Sequence, residues 1–530
     1  MTKEAKAGEC VLAIDLGTSG PKVGLVDHEG RILASAFERT ATIYLPGGGA
    51  EQDANEWWAS ILRTSKRVLA QAGVPADSIV AVACTSQYST IVAVDRHGEP
   101  LMNAITYMDT RGAPYNQQIT RGFPSIEGYG LARVIRWIPP TGAVPTNSGI
   151  DSLGHMLFIR NEHPEVYRAA YKFLEPMDYV TMRLTGIAAA TQSSVFLMLL
   201  TDNRKPDSLT YDDGLLRIAG LERDKLPDLV PAQSILGTLL PSVAAELGLS
   251  PTTVVISGVA DLHTSVLGSG AIEDYAGVVV LGSTCFLSCH VPFKKTGIST
   301  LMTTIPSPLR GRYVTFCDMG TAGPKVLDAY LANLVFSQDA LLGQVPPQDV
   351  YERMSRAAES IPAGSEGVLF LPWFNGSLSP HEDAALRGGF LNLSYKTSRA
   401  HLTRAVLEGV AYNSRWLMRV AQGFVGRKFP SLRLSGGGAQ SDTWAQIMAD
   451  VLDIPIHQQA DPRNGNVLGI AFLAFLRLGR IRLDDIPGMV RIAKVFQPNP
   501  ENRAVYDRLF AQFMACQKKL TPVFHALNRD

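Results

Sequence analysis

The stretch VLAIDLGTSGPKVGLVDHEGRIL, residues 11–33, begins as an apolar strand, changes to a short polar segment and resumes as a second strand. The polar segment runs from Asp15 to Lys22 and carries an acid, two hydroxyls, two glycines and a lysine. A tight hairpin turn needs only two residues such as Asn-Gly. The segment therefore predicts two strands joined either by a hairpin with an ordinary Asx-type turn or by a loop that binds a ligand.

A phosphate group is the ligand that this segment suits. Groups able to hold it follow one another along the chain: Gly17, Thr18, Ser19, Gly20 and Lys22. The glycines allow close approach of the backbone, the hydroxyls and amides donate hydrogen bonds, and the lysine supplies a positive charge. A carboxylate at the end of a buried strand is costly without a cation, so Asp15 is expected to hold Mg²⁺ through water.

The length and composition of the chain restrict its class. The 530 residues, 46% of them hydrophobic, are too many for one core and predict two or more domains. The 49 basic and 49 acidic residues provide no field of one sign for nucleic acid or an anionic membrane. The N-terminus lacks the apolar core of a signal peptide, and no apolar run approaches the ~20 residues that span a bilayer.

The six cysteines are scattered and lie mostly in apolar runs, which indicates reduced thiols. The spacing Cys285-x-x-x-Cys289-His290 has a faint likeness to a metal cluster. Because the surrounding residues predict a strand, buried thiols are the preferred interpretation. We therefore expect a soluble cytoplasmic protein that binds neither nucleic acid nor a membrane.

The pattern of strands and helices indicates two domains. Strand patterns occupy residues 11–37 and 79–84, with a helix pattern at 54–72 between them. The second half opens in a similar way with AGVVVLGSTCFLSCHV from Ala276, and long amphipathic helices such as residues 401–422 follow. Strands followed by helices in both halves predict an α/β fold whose two domains divide near residues 262–275.

A glycine run marks a second candidate ligand contact. LRLSGGGAQSDTWAQIMADVL, residues 432–452, predicts a strand, three glycines and a helix that Ser441 can cap. The spacing is not GxGxxG, and GxxxxGK[ST] is absent from the sequence. Neither a dinucleotide-binding fold nor a P-loop NTPase is therefore supported. The glycines fit either a flat or charged ligand or a structural turn.

An aspartate near the middle of the chain is a candidate general base. In VVISGVADLHTSVLG, residues 254–268, Asp261 emerges after a buried strand among small and apolar residues. The alternative is that Asp261 only caps the helix that follows. His263 is expected to be a neighbour of this site rather than a ligand.

Polar side chains in the first half suit a polyhydroxylated ligand. Gln87 and Tyr88 follow a strand, Asp109 and Arg111 lie in ITYMDTRG, and Tyr129 precedes a helix. Each of them could also be structural. In particular, Asp109 and Arg111 could pair with each other.

Taken in this order, the motifs resemble the FGGY family of carbohydrate kinases, within the actin/Hsp70/hexokinase-like ATPase superfamily. The matching segments are AIDLGTSGPKVGLVD, AEQDANEWW, ITYMDTRG, FLEPMDYVTMRLTG, LGSTCF, LPWFNGSLSPHEDAALRGGFLNL, RAVLEGVAY and LSGGGAQSDTWAQIMADVLDIPI. The resemblance covers roughly residues 11–490 and implies two ribonuclease H-like domains that face a central cleft. Residues 11–270 would form the sugar side with the first phosphate loop, 271–490 the nucleotide side, and 491–530 a C-terminal helical extension.

The resemblance also implies a role for each matched residue. Asp261 would be the catalytic base, and Asp15 the acid near Mg²⁺. Contacts to ATP would come from Gly17, Thr18, Ser19, Lys22, Gly282, Ser283, Thr284, Gly323, Gly437, Gly438 and Ser441. Contacts to the substrate would come from Gln87, Tyr88, Asp109, Tyr129 and Asp261.

Substrate identity is where the resemblance is weakest. Xylulose kinases of this family typically show Met-His-Gly after the glutamine and glycerol kinases Arg-Glu, whereas this chain has Tyr88-Ser89-Thr90. GVADLH is somewhat similar to the D-A-H form of ribulose kinases. We expect Mg-ATP-dependent phosphorylation of a ketopentose, xylulose first, with ribulose, another ketose or a short polyol such as glycerol, a tetritol or a pentitol as alternatives. An actin- or Hsp70-like switch ATPase and an inactive sugar sensor are the competing classes, and the family resemblance suggests a homodimer.

Overall fold

The N-terminal hairpin lies in the middle of the first sheet. A computed structural model describes residues 8–126, 128–206, 208–282, 284–297, 300–320, 322–337 and 345–528. The strands of the first half are β1 (Cys10–Gly17), β2 (Gly20–Asp27), β3 (Ile32–Phe37), β4 (Ile43–Leu45), β5 (Gly49–Gln52), β6 (Ile79–Ser86), β7 (Val92–Val94), β8 (Ala104–Ile105), β9 (Ser125–Ile126), β10 (Tyr129–Gly130), β11 (Lys172–Leu174), β12 (Ala189–Thr191), β13 (Asp228–Val230), β14 (Ile235–Thr238) and β15 (Val254–Ala260). Its helices are α1 (Ala54–Ala72), α2 (Ala113–Thr120), α3 (Leu131–Thr141), α4 (Ser152–Glu162), α5 (Pro164–Ala169), α6 (Pro176–Thr185), α7 (Asp213–Ala219), α8 (Pro241–Leu247) and α9 (Asp261–Gly268).

Six of these strands form a mixed sheet in the order β14-β15-β6-β1-β2-β3. β1 pairs antiparallel with β2 and parallel with β6, and β6 pairs parallel with β15. The carboxyl ends of β1, β6 and β15 therefore lie at one edge of the sheet. The candidate residues Asp15, Gln87 and Asp261 lie at or just beyond these three ends.

The second half forms a five-stranded sheet in the order β17-β16-β24-β25-β26. The strands of this half are β16 (Gly277–Leu281), β17 (Cys285–Ser288), β18 (His290–Val291), β19 (Thr296–Gly297), β20 (Met302–Pro306), β21 (Tyr313–Phe316), β22 (Leu369–Leu371), β23 (Gly389–Leu391), β24 (Leu432–Ser435), β25 (Ile456–Gln459) and β26 (Ile492–Phe496). Its helices are α10 (Pro324–Tyr330), α11 (Val350–Glu359), α12 (Arg399–Val425), α13 (Asp442–Leu452), α14 (Gly465–Leu478), α15 (Ile486–Met489) and α16 (Arg503–Leu527).

The two sheets share one pattern of pairing. In the second sheet, β16 pairs antiparallel with β17 and parallel with β24, and β24 pairs parallel with β25. A hairpin beside two further parallel strands is thus present in both halves, which confirms the predicted α/β class with two similar domains. At the C-terminus, β26 adds an antiparallel strand to the second sheet, and α16 follows. The predicted domain boundaries at residues 270 and 490 stay a prediction.

Helix α14 belongs to the second half in sequence but packs on the first sheet. It contacts β1, β2, β6 and α9. Val11 and Ala13 of β1 share a core with α14, whereas Leu12 and Ile14 share a core with α1. Because both faces of β1 are covered, its sequence is one continuous apolar run rather than an alternation of apolar and polar residues.

Helices α2–α5 and α7 form an outer lobe beside the first sheet. Buried residues such as Trp137 and Phe173 form its core, and the Trp137 indole donates to the Leu199 carbonyl at 3.0 Å. The loop of residues 142–151 connects α3 to α4 in this lobe. Within the part of the chain that the structure describes, no helix is long and apolar enough to cross a bilayer.

Candidate active site

A cleft of about 1700 Å³ lies between the two halves of the protein. The β1–β2 turn, the segment after β6, the start of α9, the β16–β17 turn and the turn after β24 all border it. The predicted residues that line it are Asp15, Gly17, Thr18, Ser19, Lys22, Gln87, Tyr88, Tyr129, Asp261, Gly282, Thr284, Gly437, Gly438 and Ser441. Ser283 lies outside the described residues, and Asp109 and Gly323 are not among the lining residues.

The β1–β2 turn is a two-residue hairpin at the edge of this cleft. Pairing continues up to Gly17 and Gly20, so Thr18 and Ser19 form the turn. Gly20 has a φ of +130°, and a Cβ there would lie 2.0 Å from the Glu38 carbonyl oxygen, so glycine is required. The hairpin interpretation is confirmed, and its turn points at the space where a ligand would bind.

Asp15 is a buried carboxyl at the end of β1. Its Oδ2 lies 3.9 Å from the Lys22 amine, and its Oδ1 accepts from Asn466 Nδ2 at 3.4 Å. Burial raises the pKa of Asp15, while Lys22 and Asn466 act in the opposite direction. The Lys22 amine also donates to the Arg463 carbonyl. The first strand end therefore combines an acid with a cation, as the sequence predicted.

Asp261 is the first residue of α9, directly after β15. Ala260 occupies the N-cap position, so the alternative that Asp261 only caps the helix is wrong. Burial, together with the charges of Asp15 and Asp318, raises the pKa of Asp261 to about 7, although the Leu262 amide acts against this. A carboxyl with this pKa is half ionised near neutrality and is suited to accept a proton.

His263 is a buried neighbour of this site, as expected. Its Nε2 lies 3.0 Å from the Pro306 carbonyl oxygen. Burial lowers the pKa of His263 to about 4, so the ring is neutral at physiological pH.

Two cleft residues that the sequence interpretation missed lie close to Asp261. Asp318 follows β21 and accepts from the Gly320 amide at 2.7 Å, and burial raises its pKa to about 6. Tyr107 accepts from the Thr18 hydroxyl at 3.3 Å, and burial raises its pKa to about 12, with further contributions from Asp318 and Asp261. The signal for Asp318 was available, because an acid after an apolar strand is the same pattern that indicated Asp15.

Asn466 is a further missed residue, and no motif indicated it. It lies at the start of α14, and its Oδ1 accepts from the Ser265 hydroxyl at 2.7 Å. Its Nδ2 reaches Asp15 only because α14 crosses the first sheet. Tertiary packing rather than local sequence therefore brings it into the site.

A chain of amides connects the predicted substrate side to the phosphate turn. Gln87 Nε2 donates to Gln52 Oε1 at 2.8 Å, and Gln52 Nε2 donates to the Thr18 carbonyl at 2.8 Å. The Tyr88 hydroxyl donates to the Ser193 carbonyl at 2.5 Å. The hydroxyl of Tyr129 accepts from the Asn147 amide at 3.1 Å. The predicted polar residues are thus held in fixed positions along one wall.

Two buried carboxyls support the segment that carries Tyr88. Glu175 Oε2 accepts from the Thr90 amide at 3.1 Å, and Asp178 Oδ2 accepts from the Ser194 hydroxyl at 2.8 Å. Burial raises the pKa of Glu175 to about 8 and raises that of Asp178 as well. At neutral pH Glu175 is therefore mostly protonated.

Asp109 lies in a buried ion pair with Arg111. Arg111 donates to both Asp109 oxygens and also to Glu51 at 2.6 Å, and the Ala50 amide donates to Asp109 at 2.9 Å. Asp109 is fully buried. The structure therefore agrees with the pairing of Asp109 and Arg111 and does not bring Asp109 to the cleft.

The second predicted phosphate loop is the β16–β17 turn. The Gly282 amide donates to the Thr284 carbonyl at 3.0 Å across this turn. Gly323 occupies the N-cap of α10, and a Cβ there would lie 2.8 Å from Cys285 Cβ, so it packs on β17 rather than on the cleft. Its successor Pro324 does line the cleft.

The glycine run after β24 forms a turn that fits against this loop. Gly436 has a φ of +90°, and a Cβ there would lie 2.5 Å from the Leu281 carbonyl oxygen. A Cβ at Gly437 would meet open space, so its backbone is accessible from the cleft. Ser441 caps α13 by accepting from the Trp444 amide at 3.2 Å, which confirms the predicted cap.

The chemistry of the cleft fits a nucleotide and a divalent cation. Asp15 is a buried carboxyl, and Asp261 and Asp318 are half-buried ones. The pKa values of all three are raised, and a bound cation would favour their ionised forms. The described residues contain no group of three or more His, Cys, Asp or Glu side chains placed to hold a metal ion. Mg²⁺ binds through one or two carboxylates plus phosphate oxygens and water, and Asp15, beside the β1–β2 turn in the cleft, is a carboxyl that fits this mode.

Cys285, Cys289 and His290, whose spacing has a faint likeness to a metal cluster, are structural residues of the interior. Both thiols are buried, and burial lowers the pKa of His290 to about 3. The Thr315 hydroxyl lies 3.7 Å from the Cys289 sulfur. The observed burial agrees with the interpretation of structural thiols.

Each half contains a sheet with the same pairing pattern, and a turn from each sheet borders one cleft. This arrangement defines the actin/hexokinase-like class of two-domain fold. Profiles of the FGGY family of carbohydrate kinases match residues 10–268 with the N-terminal domain and residues 298–478 with the C-terminal domain. The chain belongs to the FGGY family of carbohydrate kinases: it is a sugar kinase, and kinases of this family use ATP.

Individual relatives resemble the chain over nearly its full length. A xylulose kinase of Staphylococcus epidermidis is 28% identical over 528 residues, which cover 96% of this chain and 97% of the relative. A glycerol kinase of Thermus brockianus is 30% identical over 508 residues, which cover 93% and 95%. The solved structure of a ligand-bound xylulose kinase from Lactobacillus acidophilus superposes with a TM-score of 0.83 at 22% identity and covers 98% of this chain and 100% of that chain.

Proposed function

We propose that this kinase transfers the terminal phosphoryl group of ATP to a hydroxyl of a ketopentose, with xylulose as the first candidate and Asp261 as the general base. The position of Asp261 carries the proposal. It is a half-buried carboxyl with a pKa of about 7 at the start of α9, in a cleft that turns from both halves line. Xylulose kinases of Staphylococcus epidermidis and Bacillus subtilis, at 28% and 26% identity, support the choice of substrate.

Phosphoryl transfer requires mainly positioning and charge neutralisation from the protein. The acceptor would lie along Gln87, Tyr88 and Tyr129, with its reacting hydroxyl at Asp261. As the hydroxyl oxygen bonds to phosphorus and the bond to the ADP oxygen breaks, the Asp261 carboxylate takes the hydroxyl proton. Closure of the two domains around the substrates would exclude water, which would otherwise compete as the acceptor.

The phosphates of ATP would lie between the two turns that face the cleft. Donors at Thr18, Ser19 and Lys22 approach from the first sheet, and the β16–β17 turn approaches from the second. The accessible backbone at Gly437 would lie against the adenosine. Asp15 would hold Mg²⁺ through water, and the bound ion would offset the negative charge of the phosphates.

A short polyol is the second candidate acceptor. The glycerol kinase of Thermus brockianus is 30% identical to this chain, slightly above the xylulose kinases of Staphylococcus epidermidis at 28% and Lactococcus lactis at 25%. Tyr88-Ser89-Thr90 also matches neither the xylulose nor the glycerol kinase motif. The two candidates differ in chain length, so one screen separates them.

A coupled assay of ADP release across pentuloses, hexuloses, pentitols, tetritols and glycerol tests the proposal. We expect xylulose to give the highest kcat/KM. Asp261→Asn should lower kcat with that acceptor by about 10²–10⁴-fold, because it removes the base. ADP release that no acceptor stimulates would contradict the proposal and favour a switch ATPase or an inactive sensor, and near-normal turnover of Asp261→Asn would remove this residue from the mechanism.

A further inference from the structure

We propose that Ser148 binds a hydroxyl group of the acceptor and forms, with Gln87, a subsite for uncharged sugars or polyols; this inference rests on the proposed function. Both residues line the cleft. Ser148 Oγ and Gln87 Oε1 are buried, and neither has a hydrogen-bond partner among the residues that the structure describes. Because buried polar atoms are nearly always paired in folded proteins, two unpaired ones on the wall of a cleft indicate a ligand that supplies the partners.

The loop that carries Ser148 is held firmly on its N-terminal side. Asp151 Oδ2 accepts from the Thr146 amide at 2.6 Å, from its hydroxyl at 2.7 Å and from Asn116 Nδ2 at 2.8 Å. Asn116 Nδ2 donates to the Thr146 carbonyl as well, at 3.0 Å. Asp151 lines the cleft, but these contacts and the Gly154 amide occupy its oxygens. Its carboxylate therefore fixes the loop.

The residues on either side of Ser148 are also fixed. The Asn147 amide donates to Tyr129 at 3.1 Å, and its carbonyl accepts from Gln117 at 3.1 Å. Gly149 has a φ of +72°, and a Cβ there would lie 2.0 Å from the Ala113 amide nitrogen, so the backbone packs directly on α2. Ser148 is consequently presented by a rigid loop, which lowers the entropy cost of binding a ligand.

The two unpaired oxygens belong to segments that contact each other. The Ser89 hydroxyl donates to the Ile150 carbonyl at 2.7 Å, which joins the segment after β6 to the Ser148 loop. The Gln87 amide donates to the Leu16 carbonyl at 2.8 Å, next to Asp15. These contacts join the segment after β6 both to the Ser148 loop and to the strand that carries Asp15, on one wall of the cleft.

The charge of this wall selects against acidic sugars. Residues 138–151 and 196–199, which include the lining residues of the outer lobe around Ser148, contain no lysine or arginine. The lysine and arginine residues among the described lining residues are Lys22, Lys325 and Arg463, and Lys22 already contacts Asp15 and the Arg463 carbonyl. A carboxylate bound at the Ser148 wall would be desolvated without a partner cation, so we infer an uncharged acceptor.

The test compares Ser148→Ala, Ser148→Thr and Ser89→Ala with the unchanged full-length enzyme, using the best uncharged acceptor and its singly deoxygenated analogues in the ADP-release assay. Ser148→Ala should raise KM for the parent acceptor about 3–10-fold with little change in kcat, since it removes one neutral hydrogen bond. It should have no effect on the one analogue that lacks the hydroxyl bound by Ser148. Ser148→Thr keeps the hydroxyl and should restore most of the affinity.

The other measurements distinguish two roles for Ser148: binding of one hydroxyl of the acceptor, or only stabilising the loop. Ser89→Ala should weaken all analogues alike, because it loosens the loop. An aldonic acid of the same chain length should be turned over about 100-fold less efficiently than the uncharged acceptor. Calorimetric binding of ADP checks that each variant is folded.

Each contrary outcome has a distinct meaning. If Ser148→Ala affects every analogue equally, or affects none, the role of Ser148 is overturned while the proposed function stands. Turnover of the aldonic acid within tenfold of the uncharged acceptor overturns the uncharged subsite. Turnover with no acceptor at all overturns the proposed function and this inference together.

Discussion

Asp15, Asp261 and Asp318 each reach the cleft from the end of a different strand or strand-like segment. Burial raises the pKa of all three, and the pKa of Asp261 is raised further by the charges of the other two. Asp15 has Lys22 at 3.9 Å to oppose this effect. Burial therefore sets most of the strength of the proposed base, and its two acidic neighbours add to the effect.

The pH dependence of catalysis tests this coupling. Because the ionised form of Asp261 accepts the proton, kcat/KM should rise with pH and level off above about 7. Asp318→Asn removes a nearby negative charge and should move the midpoint to lower pH. Asp328→Asn, at another acid that lines the cleft, should leave the midpoint unchanged. Profiles between pH 5.5 and 8.5 that coincide for all three proteins would contradict the coupling.

At the scale of secondary-structure elements, the crossing of α9 and α14 assembles the site. α9 begins with Asp261, and α14 carries Asn466 to Asp15. A Cβ at Gly268 would lie 1.8 Å from the Gly465 carbonyl oxygen. The two helices therefore approach closely enough to exclude side chains at their contact, and a change there moves two site residues at once.

A pair of glycine substitutions tests the crossing. In Gly469→Ala the new Cβ would lie 2.0 Å from the Thr264 carbonyl oxygen, so the helices must separate. We expect the free energy of unfolding to fall by about 1–3 kcal/mol, and kcat to fall because Asn466 is displaced. Gly423 lies on an exposed part of α12, and a Cβ there would have no heavy atom of the described chain within 4 Å. Gly423→Ala should therefore raise the free energy of unfolding by about 0.5–1 kcal/mol. Urea denaturation measures both, and a free energy of unfolding that is unchanged or raised in Gly469→Ala would refute a tight crossing.

On the scale of the whole molecule, buried carboxyls link the outer lobe to the first sheet. Glu175 accepts from Thr90 in the segment after β6 and from Ser152 at the start of α4. Burial raises its pKa to about 8 from an ordinary 4.5. Below pH 4.5 the folded and unfolded chains hold this proton equally, whereas above it the folded chain retains a proton that the unfolded chain has lost.

The association into a homodimer and the cytoplasmic location stay predictions.

Because the folded chain retains the Glu175 proton, its free energy of unfolding should fall as the pH rises through 8. Between pH 7 and 8, Glu175 alone should lower the free energy of unfolding by about 1 kcal/mol, from 1.36 kcal/mol per pKa unit for a fully protonated group. Glu175→Gln cannot ionise, so its free energy of unfolding should decline less steeply by this amount. Urea unfolding at pH 7.0, 7.5 and 8.0 measures the slopes. Parallel slopes for the two proteins would show that Glu175 does not hold a proton in the folded state.

The sequence by itself determined the parts of this protein that depend on neighbouring residues in the chain. The hairpin around Thr18 and Ser19, the strand before Asp261 and the cap at Ser441 were all predictable, because turn chemistry, apolar periodicity and capping act within a few residues. Asp318 shows the same local signal as Asp15 and could have been found in this way.

Only the tertiary structure decided which of these groups share a cleft. Asn466 reaches Asp15 across 451 positions of sequence because a helix from the second half packs on the first sheet. Asp109 was expected at the substrate and instead lies in a buried pair with Arg111, since fold-wide packing sets its solvent exposure. The unpaired state of Ser148 likewise depends on contacts from α2 and Tyr129, and long-range contacts of this kind leave no periodicity or spacing in a single sequence.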